Sequence, residues 1–385
     1  MLEKIRYLTA GESHGKGLLG IIDGLPANLQ ISETYIHKQL SRRQKGYGRS
    51  GRMKIETDFA ELYCGVRQGV TIGGPIGLII KNKDHENWSK CMSIEKNDYD
   101  KKVTLPRPGH ADLAGVMKFG FDDIRDVIER SSARETAMRV ALASVCRKML
   151  EEINIEVCSR VIQIHNVIDS SEINISIPIK EINIMVDKSI VRCLNKAAEK
   201  NMITAIDKAK KSGDSVGGII EICCTGLPFG LGSYTQWDKK LQSKISETLL
   251  SINAFKGIEF GMGFDSAGEL GSNVHDEMTI EDSKLRRKTN NAGGIEGGMS
   301  NTEPLKIKVS MKPIPTLIKP LDSVDIKSKN LKKAHKERTD SCAVPAASII
   351  AENLLCIVIA DALLSKFGGD SMEQLKSHIE KSGKF

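Results

Sequence analysis

Two histidines in this chain sit where an imidazole can meet a ligand. His14 lies in Gly11-Glu12-Ser13-His14-Gly15. The surrounding glycines leave little local packing about the ring, which suits presentation to a ligand; a turn histidine in solvent is the plainer alternative. His110 lies in Arg107-Pro108-Gly109-His110-Ala111-Asp112. Arginine, a rigid turn and an imidazole make an anion-facing arrangement, and Asp112 can orient the ring through its second nitrogen. A loop salt bridge would explain the same residues. His37, His85, His165, His275, His335 and His378 read as surface or packing residues, and no two histidines have the His-x-x-x-His spacing of a helical metal pair.

Cationic groups recur near glycine and at a helix start. Arg130-Ser131-Ser132-Ala133-Arg134-Glu135 opens the clearest helical pattern. Unpaired amides at a helix N-terminus bind anions, so two hydroxyls and two arginines there suit a phosphate or a flavin ring; a capped helix with solvated arginines is the alternative. Arg42, Arg43, Arg49 and Arg52 crowd a glycine-rich stretch. Guanidinium groups match carboxylates and phosphates by paired hydrogen bonds, or the loop is simply basic and solvated. Lys312-Pro313-Ile314-Pro315-Thr316 is stiff and extended, and Arg338-Thr339-Asp340 places a carboxylate beside a guanidinium. Each of these two, alone, also reads as an ordinary loop. Asn290 to Gly298 is glycine-rich but has neither P-loop nor G-x-G-x-x-G spacing. That points away from a nucleotide kinase and a Rossmann dehydrogenase.

The bulk composition narrows the partner. A net charge of +7 over 385 residues is modest, and no Lys/Arg stripe with stacking aromatics is present, so an anionic small molecule is preferred over nucleic acid. Nine cysteines, an odd number without a C-x-x-C pair, argue against a disulfide framework or zinc site and suit a reducing, cytoplasmic setting. No metal is expected. The N-terminus, Met1-Leu2-Glu3-Lys4, lacks a signal-peptide h-region. Ala346 to Leu364 is strongly apolar, but Glu352, Asn353 and Asp361 interrupt it, so a buried core helix is expected and no membrane span.

The elements that must carry these residues follow from periodicity. Leu18–Ile22 reads as a buried strand closed by Gly24-Leu25-Pro26, then Ser32 caps a helix to about Arg42. Strands are expected at Lys54–Thr57, Glu61–Val66 and Ile76–Lys81, with 82–104 a polar surface excursion. Ser132 begins a helix with Met138, Leu142, Val145 and Met149 in register. Segment 160–185 reads as strand, and Asp187–Ala198 and Met202–Ala209 as helices stopped by Gly213. Gly217–Cys224 is a strand closed by Gly226-Leu227-Pro228; a helix capped by Asp238, strands at Ile258–Phe260 and Leu305–Met311, and the long helix behind Pro345 follow. The tail from Gly368 reads as a short amphipathic helix. The two halves, about 1–160 and 215–367, share one order: strand, Gly-Leu-Pro, helix, strands, long helix. An internal duplication within one 1–385 unit and a chance repeat of Gly-Leu-Pro both fit.

Taken together the motifs resemble the chorismate synthase family. The matching pieces are Gly11-Glu12-Ser13-His14-Gly15, Arg42-Arg43 to Arg49, Arg107-Pro108-Gly109-His110-Ala111-Asp112, Arg130-Ser131-Ser132-Ala133-Arg134-Glu135-Thr136, Asn291-Ala292-Gly293-Gly294, Lys312-Pro313, and Arg338-Thr339-Asp340 with Val344-Pro345. They fall in the family's order from residue 11 to residue 347. One departure is visible: Thr302 follows Gly298-Met299-Ser300-Asn301, where the resemblance implies a glycine in many relatives.

The resemblance implies an α/β (α+β) fold, a β-α-β sandwich with helices enclosed between sheets, assembled as a homotetramer. It implies a lyase of the shikimate pathway to aromatic amino acids. Its substrate would be 5-enolpyruvylshikimate 3-phosphate, whose phosphate and a ring proton are lost to give chorismate, with reduced FMN used catalytically. His110 would protonate the departing phosphate, His14 would protonate or hold the reduced flavin, and Asp340 would help it accept the ring proton. Arg130, Ser131, Ser132, Asn253, Ala254, Gly297, Lys312, Pro313, Ile314, Pro315, Thr316 and Arg338 match FMN contacts. Arg43 and Arg49 match NADP contacts, with NADPH a candidate reductant and an external reductase the expectation. Arg49, Arg107, Arg134 and Arg338 would neutralise the substrate's anionic groups. A flavoprotein oxidoreductase would share the cleft but consume a nicotinamide stoichiometrically; a nucleic-acid binder would give salt-dependent gel shifts.

Overall fold

The computed structural model describes residues 2–49, 57–281, 284–337 and 339–382. The expected strand at Lys54–Thr57, for all but its last residue, Arg52 and Arg338 lie outside the described residues. The first sheet runs Arg6–Gly11, Gly17–Asp23, Ile76–Lys81, Ala60–Cys64, every neighbour antiparallel. The second runs Phe255–Phe260, Leu305–Met311, Gly218–Thr225, Glu156–Ile164, with a short edge strand Val167–Ile168, again all antiparallel. Leaving that edge aside and matching strands by chain position, both sheets have the same spatial order. Period-two burial is clean in Leu305–Met311, as expected of a sheet with one face on the core.

The Thr136–Glu151 helix packs on the first sheet, the Val344–Phe367 helix on the second, and the two helices pack on each other. Gly20 allows the first contact, because a Cβ there would meet the Met138 sulfur at 2.5 Å. Glu33–Gln44 and Leu241–Leu250 flank this pair, and one contiguous apolar core runs through both sheets. Val344–Phe367 carries Pro345 in its first turn and has the length and hydropathy of a membrane span, yet Val344–Leu364 is buried inside the protein. At its centre Glu352 meets Arg42 at 2.7 Å, Arg147 at 2.6 Å and Arg192 at 3.5 Å, and accepts from Ser159 at 2.7 Å. Burial pushes this carboxyl up, but the three guanidinium groups overcome it and hold it down to about 2. Nearer its end, Asp361 Oδ1 accepts the backbone N–H groups of Glu3, Lys4 and Ile5.

Several boundaries differ from expectation. Segment 160–185 is not one strand: after Ile164 and the edge strand, Ile179–Asp187 is helical. Ile179, Ile182 and Val186 share one helix face and bury it on Cys158 and Cys223, a period that alternating isoleucines obscured. Asp187–Ala198 is not a helix. Asp169 accepts the Leu194 and Asn195 N–H groups, and Asn195 caps a single helix, Lys196–Ser212. Ser132 caps a 3-10 turn, Ala133–Glu135, between the Arg125–Ser131 helix and Thr136–Glu151. Asp238 lies in a 3-10 turn, and Lys240 holds the N-cap position of Leu241–Leu250. Thr302 sits at φ +75°, a left-handed conformation costly for a β-branched residue and free of that cost for glycine.

Candidate active site

Between the two halves lies a cavity of about 530 Å³, within the range of roughly 300–1,000 Å³ usual for small-molecule sites. The loop carrying His14 enters it between the first two strands. Asn82, just past the end of Ile76–Lys81, pins that loop by donating to the carbonyls of Glu12 and Gly15 at 3.0 and 2.9 Å. His14 is buried, with Nδ1 at 2.8 Å from Glu129 Oε1 and its backbone N–H at 2.7 Å from Glu129 Oε2. Trp88 stacks on the ring at 3.9 Å. Segment 82–104 is therefore not only a surface excursion: its start folds against the site, and Asn82 and Asp84 are buried.

His110 lines the same cavity from its tight turn, where Gly109 takes φ +76°. Its Nδ1 is 2.5 Å from Asp112 Oδ1. Arg107 bonds the same carboxylate through Nε at 2.8 Å and Nη2 at 2.9 Å, and reaches Thr316 Oγ1 at 2.9 Å. Burial opposes the Asp112 charge, but the hydrogen bonds from His110 and Arg107 hold its carboxyl far below the usual range. The contact through which Asp112 can orient the ring is present.

Arg43 and Arg134 share the buried Asp58. Arg43 also donates to Thr136 Oγ1 at 2.9 Å and the Ala133 carbonyl at 3.0 Å, so the helix start is held by a guanidinium from another helix. Burial, with Arg49 and Arg134 nearby, outweighs Asp58 and brings Arg43 down to about 10, still charged at neutral pH. Arg49 pairs with Asp340 at 3.0 Å. Lys312 donates to the Gly109 carbonyl at 2.7 Å, tying the proline segment to the His110 turn. Ala254 sits at φ +68° and gives its carbonyl to Lys312 N–H, while Asn253 donates to the Ser131 carbonyl at 3.0 Å. Arg43, Arg49, Arg107, Arg134, Lys256 and Lys312 face the cavity against two lining carboxylates, Glu337 and Asp340. Such a lining attracts polyanions.

Most residues singled out from the sequence line this one space: His14, His110, Asp340, Arg43, Arg49, Arg107, Arg134, Ser131, Ser132, Asn253, Ala254, Lys312, Ile314, Pro315 and Thr316. Arg130 lies outside the lining and donates to Thr9 and the Gly11 carbonyl. Gly297 lies outside it in a tight turn between two-residue strands. Pro313 is flanked by lining residues without being one. Arg42, grouped with the anion-facing arginines by sequence, instead serves Glu352 and Asp187. Sequence reasoning missed Asp58, Asn82, Trp88, Arg125, Glu129, Lys256 and Glu337. Only Trp88 carried a hint, being one of two tryptophans, in a segment otherwise polar.

A flavin can be tested against this lining. Ile128, Leu250, Ile252, Met311, Ile314 and Ala347 give an apolar surface for a planar ring. Ser131 Oγ is buried at the wall with no hydrogen-bond partner among the described residues, a hydroxyl that a ligand would satisfy. The residues present fit the group.

The family model described as chorismate synthase matches residues 5–364. The chain is 53% identical over 375 residues to chorismate synthase of Alkaliphilus metalliredigens, covering 96% of this chain and 97% of that one. It is 50% identical to chorismate synthase of Listeria welshimeri, with 98% of each covered. A crystal structure of chorismate synthase superposes with a TM-score of 0.81 at 38% identity, covering 99% of this chain and 98% of the other. The chain belongs to the chorismate synthase family, and with it to the lyases that carry out that family's reaction.

Proposed function

We propose that the 530 Å³ cavity is where this chain carries out the family's elimination on 5-enolpyruvylshikimate 3-phosphate. The carbon–oxygen bond to phosphate breaks, a ring proton leaves from the opposite face, and the new double bond completes chorismate with no net redox change. The observation that carries the reading is the convergence of His14, His110 and Asp340 with four arginines on one space. The substrate's two carboxylates and phosphate bear roughly four negative charges near neutral pH. Arg49, Arg107 and Arg134, with Arg338 implied by the family, orient and neutralise them.

His110 is the proton donor to the departing phosphate. Asp112 receives its Nδ1–H, so Nε2 is the nitrogen that serves the ligand. His14 holds the cofactor side, and Asp340 takes part in removing the ring proton. Reduced FMN, when bound, lends electron density to the substrate ring as phosphate departs. Ser131, Ser132, Asn253, Ala254 and Lys312 to Thr316 are its proposed holders, with Arg130, Gly297 and Arg338 completing the family's set. Arg43 and Arg49 are the proposed NADPH contacts, with reduction supplied externally. The common strand order of the two sheets supports a duplicated β-α-β sandwich. Leu8, Leu19, Ile21 and Tyr63 are exposed on the first sheet, which supports assembly of copies into the family's homotetramer. A cytoplasmic setting completes the reading.

Anaerobic phosphate release from the enolpyruvyl substrate with dithionite-reduced FMN tests it. Release is expected only with reductant, at far less than one reductant per phosphate. Release without reductant, stoichiometric consumption, or no release at all would overturn it.

A further inference from the structure

We propose that Glu129 is a positioning residue for the reaction, holding His14 as the tautomer protonated on Nδ1 with Nε2 left for the ligand. The inference rests on the reading of His14 as a group that serves the reaction.

One buried carboxylate takes both hydrogen bonds that place His14. Oε2 accepts the backbone N–H at 2.7 Å, and Oε1 lies 2.8 Å from Nδ1. A carboxylate has no proton to give, so the ring nitrogen must be the donor. In the neutral imidazole, Nε2 is then the acceptor, and in the imidazolium it is the donor available to a ligand. The Glu129 carbonyl accepts Ser13 N–H at 3.0 Å, so the same residue sets the loop's backbone as well as the ring.

The rest of the shell holds the same ring and loop in place. His14 is 5% exposed and Glu129 4%, so bulk water has little access to this bond. Trp88 covers one ring face at 3.9 Å with 28° between planes. His85 Nδ1 is 3.0 Å from the His14 carbonyl. Arg125 lies 5.0 Å over Trp88, 3.3 Å from Glu129 Oε1 and 2.8 Å from Glu337 Oε1. Glu337 lines the cavity, so Arg125 clasps the His14 support to the segment leading to Asp340. Residues that fix a histidine's tautomer from behind commonly act through the ring they hold.

Glu129→Gln keeps the shape but lets position 129 donate to Nδ1, which frees the other tautomer. The test is a double-mutant cycle on the full-length enzyme with FMN and enolpyruvyl substrate. Glu129→Gln should lower kcat about 10- to 100-fold, the usual effect of losing a ring-orienting partner, with a smaller change in KM. In the His14→Ala background the same change should alter kcat by less than about two-fold, because coupled residues are non-additive. Equal losses in both backgrounds would overturn the proposal. An unchanged kcat in His14→Ala would instead remove His14 from the reaction, and Glu129's role with it. A measurement on the wild-type protein needs no variant to fold. In ¹⁵N-histidine-labelled enzyme at alkaline pH, the neutral His14 ring should carry its proton on Nδ1. A proton on Nε2 would overturn the proposal.

Discussion

Replacing Glu352 with glutamine should remove about 3 kcal/mol of stability without touching the cavity. The magnitude follows from the carboxyl's fall from 4.5 to about 2 in the folded protein. Each tenfold change in proton affinity corresponds to about 1.4 kcal/mol, so that fall is worth about 3 kcal/mol. Removing one partner from a buried ion pair costs about 3–5 kcal/mol by mutagenesis elsewhere, which brackets the same figure. The structural cause is plain. Arg42, Arg147 and Arg192 converge on Glu352, and a neutral amide leaves their charges less compensated in a fully buried site. The sign of the pH dependence is determined as well. The folded pKa is depressed, so the contribution is complete above about 4.5 and is lost as pH falls toward 2. Urea denaturation of both proteins at pH 7 and at stepwise lower pH is the assay. The midpoint should drop at pH 7 with an unchanged slope, and the gap between variant and wild type should narrow as pH falls. A loss below about 1 kcal/mol at pH 7, or a gap that does not narrow, would refute the reasoning.

Other outcomes follow from the same geometry. His110→Ala should cut turnover about 100- to 10,000-fold, the usual range for general acid–base catalysis, while FMN titration shows binding retained; unchanged turnover removes His110 from the mechanism. Asn82→Ala strips donors from the Glu12 and Gly15 carbonyls and the acceptor of Arg134 Nε; it should cost about 1–3 kcal/mol in thermal or urea unfolding and lower kcat. Thr302→Gly should stabilise the protein by about 1 kcal/mol, because the residue adopts φ +75°, and equilibrium unfolding reads it. With six cationic side chains facing the cavity, substrate kcat/KM should fall as salt rises from about 20 to about 300 mM; a salt-independent kcat/KM argues against an electrostatic cradle.

What could be read from the linear chain was local or periodic. Leu305–Met311 and Ile76–Lys81 stand as expected because strand periodicity needs only neighbours. The His110–Asp112 pair was legible because two residues of one turn cannot separate far. Ser32 caps its helix for the same reason. The family resemblance rested on short motifs of this kind, kept in order.

Tertiary structure alone decided how distant groups divide the work. Arg42 and Arg43 are adjacent on one helix, yet about 100° of rotation per residue sends one into the Glu352 cluster and the other to the cavity wall. No pattern in the sequence distinguishes them. Glu129 reaches His14 across 115 residues and Asn82 reaches Gly15 across 67. Nothing local requires either contact: Asn82 meets Gly15 because Gly17–Asp23 pairs with Ile76–Lys81, Gly17 opposite Lys81, and Glu129 meets His14 because the Arg125–Ser131 helix lies against that loop. Helical and extended backbone is selected by the nearest few residues, whereas a partner for a buried charge is selected by whatever the assembled core delivers to it.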